Sequence, residues 1–210
     1  MDAQAAEPYS AADFRRRLES RDALAEGGEY GDHRFNPELR HLIVREGLRD
    51  AAVLVPVVDR KDGATVILTK RTEKLRSHSG QIAFPGGGID PSDASPEDAA
   101  LRETEEEIGL DRSFIEVIGR LPDYVSGSGF RVAPVLGVVR PGFILTLNAD
   151  EVDDAFEVPL AFIMNEANHG RESREWQGRT RHFYAMPYGD RYIWGLTAGI
   201  IRVLYERLYA

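Results

Sequence analysis

Residues 84–110 read FPGGGIDPSDASPEDAALRETEEEIGL, and the order of glycines and carboxylates in this stretch decides how the rest of the chain is read. A glycine-rich turn comes first and is closed by Asp90 and Asp93. A helical pattern over 96–108 follows, with Gly109 as its C-terminal stop. At about 100° per residue, Glu103, Glu106 and Glu107 fall within an arc of roughly 100°, opposite Leu101, Thr104 and Ile108. The helix is therefore expected to dock through the latter three and to present three carboxylates on its other face. Like charges three and four residues apart repel, and near a helix C-terminus the macrodipole disfavours anions as well. A solvated acidic face partly compensated by Arg102 is the plainer account of such a pattern. The repulsion, the dipole and the adjoining glycine turn favour instead a carboxylate cluster suited to hard divalent cations, which take oxygen ligands.

The flanking segments set this helix in a mixed α/β (α+β) domain. Residues 10–20 read as a short helix with Ser10 as its cap, and residues 37–48 as a second, with Pro37 early and Gly47 late. AAVLVPVVDR (51–60) and ATVILTKR (64–71) are rich in β-branched residues and joined by KDG, which predicts a hairpin. Strands are expected at 114–121, 131–139, 143–147 and 155–160, a short helix over 161–168, and two or three short strands within 174–195. A closing helix over 196–209 carries Leu196, Ile200, Val203 and Leu204 on one side. Adjacent strands with few helices between them argue for a mixed sheet, not a regular βαβ array.

Composition narrows the classes of function. The chain has 210 residues, enough for one sizeable core, and no cysteine, so disulfides, thiolate metal sites and a cysteine nucleophile are excluded. Its formal net charge of −9 argues against nucleic-acid binding, which relies on basic surface. No apolar run reaches the ~18–20 residues that a membrane span needs, and the N-terminus lacks the basic start and apolar core of a secretory signal. A cytoplasmic location is expected, with no membrane partner. An anionic substrate would then need a metal, a local basic cluster or both. Such a cluster exists at Lys70, Arg71, Lys74 and Arg76, beside His78, which reads as a loop or packing histidine.

RETEEEIGL, residues 102–110, resembles the Nudix box core REUXEEXGU, where U is aliphatic; Thr104 stands at the first aliphatic position. The glutamate that precedes this core in the family would fall on Ala94, so the loop is one residue longer, with Asp93 in that glutamate's place. Upstream, ILTKRTEKLRSHSGQIAFPGG (67–87) resembles the signature of the coenzyme A diphosphatase (CoA pyrophosphatase) subfamily. Arg71, Arg76, Gly80 and Phe84–Gly87 match it at every spacing. The likeness continues through GFRVAPVLGVV and IWGLTAGIIR and covers most of residues 50–205.

The resemblance implies a Nudix-type α/β/α sandwich over residues 49–210, preceded by a helical extension over 1–48. It implies hydrolysis of coenzyme A or its thioesters to 3′,5′-ADP and 4′-phosphopantetheine, with Mg²⁺ or Mn²⁺ held by Glu103, Glu106 and Glu107. Glu103, Glu106 and Arg102 form the expected catalytic set, in which Arg102 pairs with the box carboxylates and holds them in place. Arg71, Arg76, Gly80, Gly86 and Gly87 are expected to face the substrate. Glu172 and Glu175 are loop candidates for the general base. Asp150 and Glu151 lie in a segment that resembles a common family sequence and read as turn or helix-starting residues with a comparable claim to that role. Tyr124, Phe130, Tyr184 and Trp194 are aromatics near loops that could stack on adenine or line a pantetheine groove. A homodimer is left open. Two alternatives stand beside this reading: a Nudix hydrolase of another nucleoside diphosphate derivative (ADP-ribose, a nucleotide sugar, an oxidised nucleotide), and a non-catalytic nucleotide-sensing Nudix domain.

Overall fold

A computed structural model describes residues 6–19, 30–37, 47–74, 78–176 and 178–210. Among these, nine strands form one sheet: β1 (Tyr30–Gly31), β2 (Arg49–Val58), β3 (Thr65–Arg71), β4 (Ile82–Ala83), β5 (Gly86–Gly88), β6 (Ile115–Arg120), β7 (Tyr124–Val125), β8 (Phe130–Val139) and β9 (Val152–Pro159). Its path runs β1-β7-β8-β2-β3-β4, with β5 beside β2, β6 beside β8 and β9 beside β3. The centre is the parallel pair β2 and β8, in register from Arg49 opposite Phe130 to Val58 opposite Val139.

Both faces of this centre are covered, which is why β2 and β8 read as nearly unbroken apolar runs. The period of two is still present within them. Ala52, Leu54, Ala133 and Val135 face helix α2 (Pro96–Ile108). Val55, Val57, Leu136 and Val138 face the opposite layer, which holds α1 (Ala11–Glu19) and the C-terminal helix α4 (Leu196–Leu208). The short helix α3 (Leu160–Ile163) follows β9. The architecture is thus an α/β/α sandwich on a mixed sheet. Each fully buried leucine or valine contributes about 1.5–3 kcal/mol to holding its layers together.

Three expectations need correction. The hairpin of β2 and β3 exists only at its turn, where Val57 meets Val66 and Val58 meets Thr65. Beyond that β3 leaves to pair along its length with β9, because β2 is already flanked by β5 and β8. Residues 143–147 form no strand. Their alternation is real, since Phe143 and Leu145 pack inward and Ile144 is 85% exposed, but their backbone bonds the end of α2 rather than a sheet edge. The C-terminal strands form a second, antiparallel sheet of β10 (Gly170–Trp176), β11 (Arg179–Tyr188) and β12 (Arg191–Trp194). Glu172 and Glu175 therefore sit on a strand and not in a loop.

Helix α4 is buried on more sides than expected: Thr197, Ala198, Gly199 and Ile201 are enclosed along with Ile200, Val203 and Leu204. The segment expected as an extension supplies part of what covers it. Ser10 Oγ accepts from Asp13 N at 3.1 Å at the start of α1, and Phe14 is fully buried in the main core. The Arg17 guanidinium lies 4.3 Å from the centre of the Tyr209 ring. Strand β1 runs parallel to β7, and Asp32 accepts from the Tyr124 hydroxyl at 2.8 Å and Gly127 N at 2.7 Å. Most of the helix expected over 37–48 lies outside the described residues.

Candidate active site

Helix α2 begins at Ser95, whose side chain accepts from Asp98 N at 3.2 Å, with Pro96 in the first turn. It ends at Gly109, at φ 65°, where a side chain would meet Thr146. Its buried face is Ala99, Ala100, Thr104 and Ile108; Leu101 is only partly covered. Thr104, the departure from an aliphatic residue, is accommodated because its hydroxyl donates to Ala100 O at 2.7 Å within the helix.

Burial also extends to Glu107, which is 2% exposed. The three carboxylates therefore do not share a solvated face. Glu107 Oε2 accepts from Gly86 N at 3.1 Å, and Oε1 lies 3.4 Å from the Arg71 guanidinium. Glu103 is largely buried against Gly87, and Glu106 is open to solvent. Burial pushes the Glu107 carboxyl up to about 7, against the Gly86 N–H and the Arg71 charge; the charges of Glu151 and Glu103 push it further the same way. Burial also raises Glu103, with Arg102 opposing and Glu106 and Glu151 adding to the rise.

Arg102 organises this cluster. Its Nε and one terminal nitrogen each donate at 2.9 Å to the two oxygens of Asp93. The other terminal nitrogen reaches Glu103 Oε1 at 2.9 Å and Glu106 Oε2 at 3.1 Å, while the one that serves Asp93 also donates to Gly88 O at 3.1 Å. The Asp93 side chain is 3% exposed and also accepts from Asp90 N at 2.8 Å. Arg102 holds the Asp93 carboxyl below its usual range, and Asp93 in turn raises the Arg102 guanidinium above its own. The longer loop thus ends in a carboxylate that anchors Arg102, and the planar fork explains why an arginine stands there.

The glycines have separate reasons. Gly86 has φ 151°, and a Cβ there would sit 2.6 Å from Val53 Cα and collide with Ala52 O. At Gly87 a Cβ would stand 2.5 Å from Glu103 Cδ. Gly80 adopts φ 66° and donates to Arg71 O at 3.1 Å, closing the loop that carries the basic signature. Arg76 lies outside the described residues. His78 Nδ1 is 2.9 Å from Gln81 Oε1, in keeping with a loop histidine.

Glu172 accepts from the Tyr192 hydroxyl, and Glu175 from Thr180 Oγ1 at 3.0 Å; neither is among the charges that shift Glu103 or Glu107. Glu151 is, and it lies where β9 begins beside Arg71 and Thr72: Thr72 N donates to Glu151 O at 2.9 Å. Tyr124 and Tyr184 are core residues, Phe130 lies under the Arg49 guanidinium at 3.9 Å, and Trp194 packs edge-on to Phe183. Asn148 is the residue of this segment that the sequence reading did not single out. Its signal is an asparagine at the head of a polar run, where the side chain can accept from the backbone two residues on.

Among the described residues no three His, Cys, Asp or Glu side chains stand close enough to enclose an ion as placed; Arg102 bridges Glu103 and Glu106 instead. The donor set nevertheless fits a hard divalent cation. It is all carboxylate oxygen, and burial together with neighbouring negative charge raises two of its members.

A family model of the NUDIX domain matches residues 48–177. The uncharacterized Nudix hydrolase NudL of Escherichia coli (strain K12) is 43% identical over 168 residues, covering 79% of this chain and 87% of that protein. NudL of Shigella boydii serotype 4 gives the same figures. Among solved structures, the Nudix hydrolase RenU of M. smegmatis overlaps 54% of this chain and 71% of its own at 25% identity, with a TM-score of 0.46, a likeness that adds nothing to the assignment. Nudix hydrolases use divalent metals such as Mg²⁺ or Mn²⁺. The chain belongs to the Nudix hydrolase family and is a hydrolase acting on pyrophosphate bonds.

Proposed function

We propose that this hydrolase cleaves the diphosphate of coenzyme A or an acyl-coenzyme A into 3′,5′-ADP and 4′-phosphopantetheine, which keeps the acyl group where one was present. The observation that carries the reading is the approach of Arg71, from the upstream signature, to within 3.4 Å of Glu107 on the carboxylate helix. Two motifs 36 residues apart thereby share one site.

Glu103, Glu106 and Glu107 would hold Mg²⁺ or Mn²⁺, which supplies charge neutralisation on the phosphoryl oxygens and a bound water of lowered pKa. The chain's own groups do the rest. Arg102, anchored on Asp93, keeps Glu103 and Glu106 together. The Gly86 N–H fixes one oxygen of Glu107, and the bare Cα of Gly87 leaves room for the Glu103 carboxylate. Arg71 is 26% exposed and among the described residues its guanidinium makes one long contact, with Glu107, which leaves donors of its fork for a phosphate oxygen. Arg76 is assigned to the same anion from the motif. The place of Glu151, beside Thr72 and Arg71 and tied through Asn148 to the backbone of Glu107, favours it over Glu172 and Glu175 as acceptor of the water proton. A cytoplasmic enzyme is part of this proposal; no helix among the described residues is long and apolar enough to cross a membrane.

The test is a substrate panel of coenzyme A, dephospho-coenzyme A, ADP-ribose, NADH and 8-oxo-dGTP with Mg²⁺ or Mn²⁺, with products followed by mass. Preference for coenzyme A, weakened for the dephospho form and lost in Arg71→Ala or Arg76→Ala, is the expected result. A clear preference for any substrate outside the coenzyme A group overturns it.

A further inference from the structure

Where the chain leaves β8 it runs beneath the C-terminal end of α2, and one residue there has every polar group engaged. Asn148 N donates to Glu107 O at 2.9 Å, which places it directly behind a buried member of the carboxylate cluster. Its carbonyl accepts from Glu151 N and Val152 N, both at 2.9 Å. Its side-chain oxygen accepts from Asp150 N at 3.2 Å, closing an Asx turn. Its amide nitrogen donates to Glu151 Oε1 at 3.1 Å. Thr146 N, two residues earlier, donates to Ile108 O at 2.9 Å, so the segment satisfies two carbonyls of the last helical turn.

A surface asparagine that only shaped a turn would need the Asx contact alone. This one ties the backbone of Glu107 to the carboxylate of Glu151. Glu151 is held from the other side by Thr72 N, next to Arg71. A free glutamate at the start of a strand has several rotamers, and ordering such a side chain costs conformational entropy. The amide of Asn148 selects one of them in advance.

We propose that Asn148 is a positioning residue that holds the Glu151 carboxylate against the Glu103–Glu107 pair and so tunes the affinity of the cluster for a divalent cation. This rests on the reading of that cluster as the metal-holding site. Asn148 touches neither substrate nor ion, and it acts through Glu151. The backbone bond to Glu107 makes the coupling rigid, since any shift of the turn also moves the end of α2.

The test compares full-length wild type, Asn148→Ser, Glu151→Gln and the double variant. Serine keeps the turn-closing oxygen and every main-chain bond but has no donor that reaches Glu151. Mn²⁺ alone is titrated into each protein without substrate, with free ion read by electron paramagnetic resonance and melting followed on the same samples. Asn148→Ser is expected to weaken Mn²⁺ binding by roughly tenfold, the scale seen for groups that orient metal-site carboxylates. In the Glu151→Gln background the same change should have no further effect. An equal loss in both backgrounds, as general loosening of the α2 end would produce, overturns the proposal, as does unchanged binding in Asn148→Ser. If wild type binds no Mn²⁺, the metal reading of the cluster fails and this proposal with it; wild-type binding that Asn148→Ser leaves intact sinks this proposal alone. Should Asn148→Ser melt far below wild type, the uncharged Asn148→Thr, which also keeps a turn-closing oxygen, replaces it in the same comparison: coupling to residue 151 supports the proposal, and additivity overturns it.

Discussion

Two adjacent glycines give a sharp prediction, because the same substitution should fail in opposite ways. A Cβ on Gly87 would lie 2.5 Å from Glu103 Cδ and 2.7 Å from its Oε1, and both are the far end of a flexible side chain. A normal carbon–carbon contact is about 3.5 Å, so the carboxylate must retreat by about 1 Å. That movement breaks its 2.9 Å bond to Arg102, worth about 1 kcal/mol for a partly exposed charged pair. Removing a glycine from the unfolded chain returns about 0.4–1 kcal/mol. Gly87→Ala should therefore melt within a few degrees of wild type while kcat falls about 100-fold, the cost of a 1 Å misplacement at a reacting centre. Gly86→Ala has no such escape, since the atoms it meets are the backbone of Ala52 and Val53 and its φ is 151°. It should lose at least about 3 kcal/mol of stability. Circular dichroism melts and steady-state turnover of the proposed substrate, coenzyme A, with added Mg²⁺ read both. Wild-type turnover by Gly87→Ala would refute the claim that Glu103 must stand where it does. Unfolding of Gly87→Ala would refute the claim that its side chain absorbs the clash.

Arg102→Lys and Asp93→Asn each remove one half of the bidentate pair, and both should lower kcat/KM by at least about tenfold; activity within twofold of wild type in both would rule out the anchoring role. Glu107→Gln should abolish turnover and leave the fold intact. With metal chelated by EDTA it should also flatten the pH dependence of stability. A folded carboxyl at about 7 against 4.5 unfolded means the native state holds the proton longer, so wild type loses on the order of 3 kcal/mol as pH rises between those values. Urea titrations from pH 4 to 8 showing the same slope in both proteins would contradict this. At Asp13, burial alone would raise the carboxyl, but Arg17, Arg16 and the Tyr9 N–H outweigh it and hold it below its ordinary 3.8. That stabilisation is present above the unfolded value and is lost as pH falls through the folded one. Asp13→Asn should cost about 1–3 kcal/mol at pH 7 and progressively less as pH falls below 3.8; a cost that stays constant as pH falls below 3.8 would sink the ionic account.

The carboxylate helix was legible because everything that makes it is local: its period, the glycine after it and the glutamates within it all lie inside one short stretch. The segments of β2 and β8 were legible as strands from their β-branched runs, but their pairing with each other and their burial on both faces depend on the layers that cover them. A 100° arc, however, does not say which of its edges meets the sheet, and only the approach of Gly86 put Glu107 indoors and left Glu106 outside. The strand expected at 143–147 failed although Phe143 and Leu145 pack inward around an exposed Ile144, because a backbone donor does not declare whether its acceptor is a strand or a helix end. The partners of Asn148 and Arg71 lie 41 and 36 residues away at Glu107. Contacts across such separations are set by how the layers stack. The sequence by itself thus determined which residues carry the charge and that they sit on a helix after a tight turn, and the tertiary structure decided which carboxylate is buried, what anchors Arg102 and which distant turn closes on the cluster. Propensity and spacing act over a few residues, whereas burial and charge balance depend on every element that packs against the site.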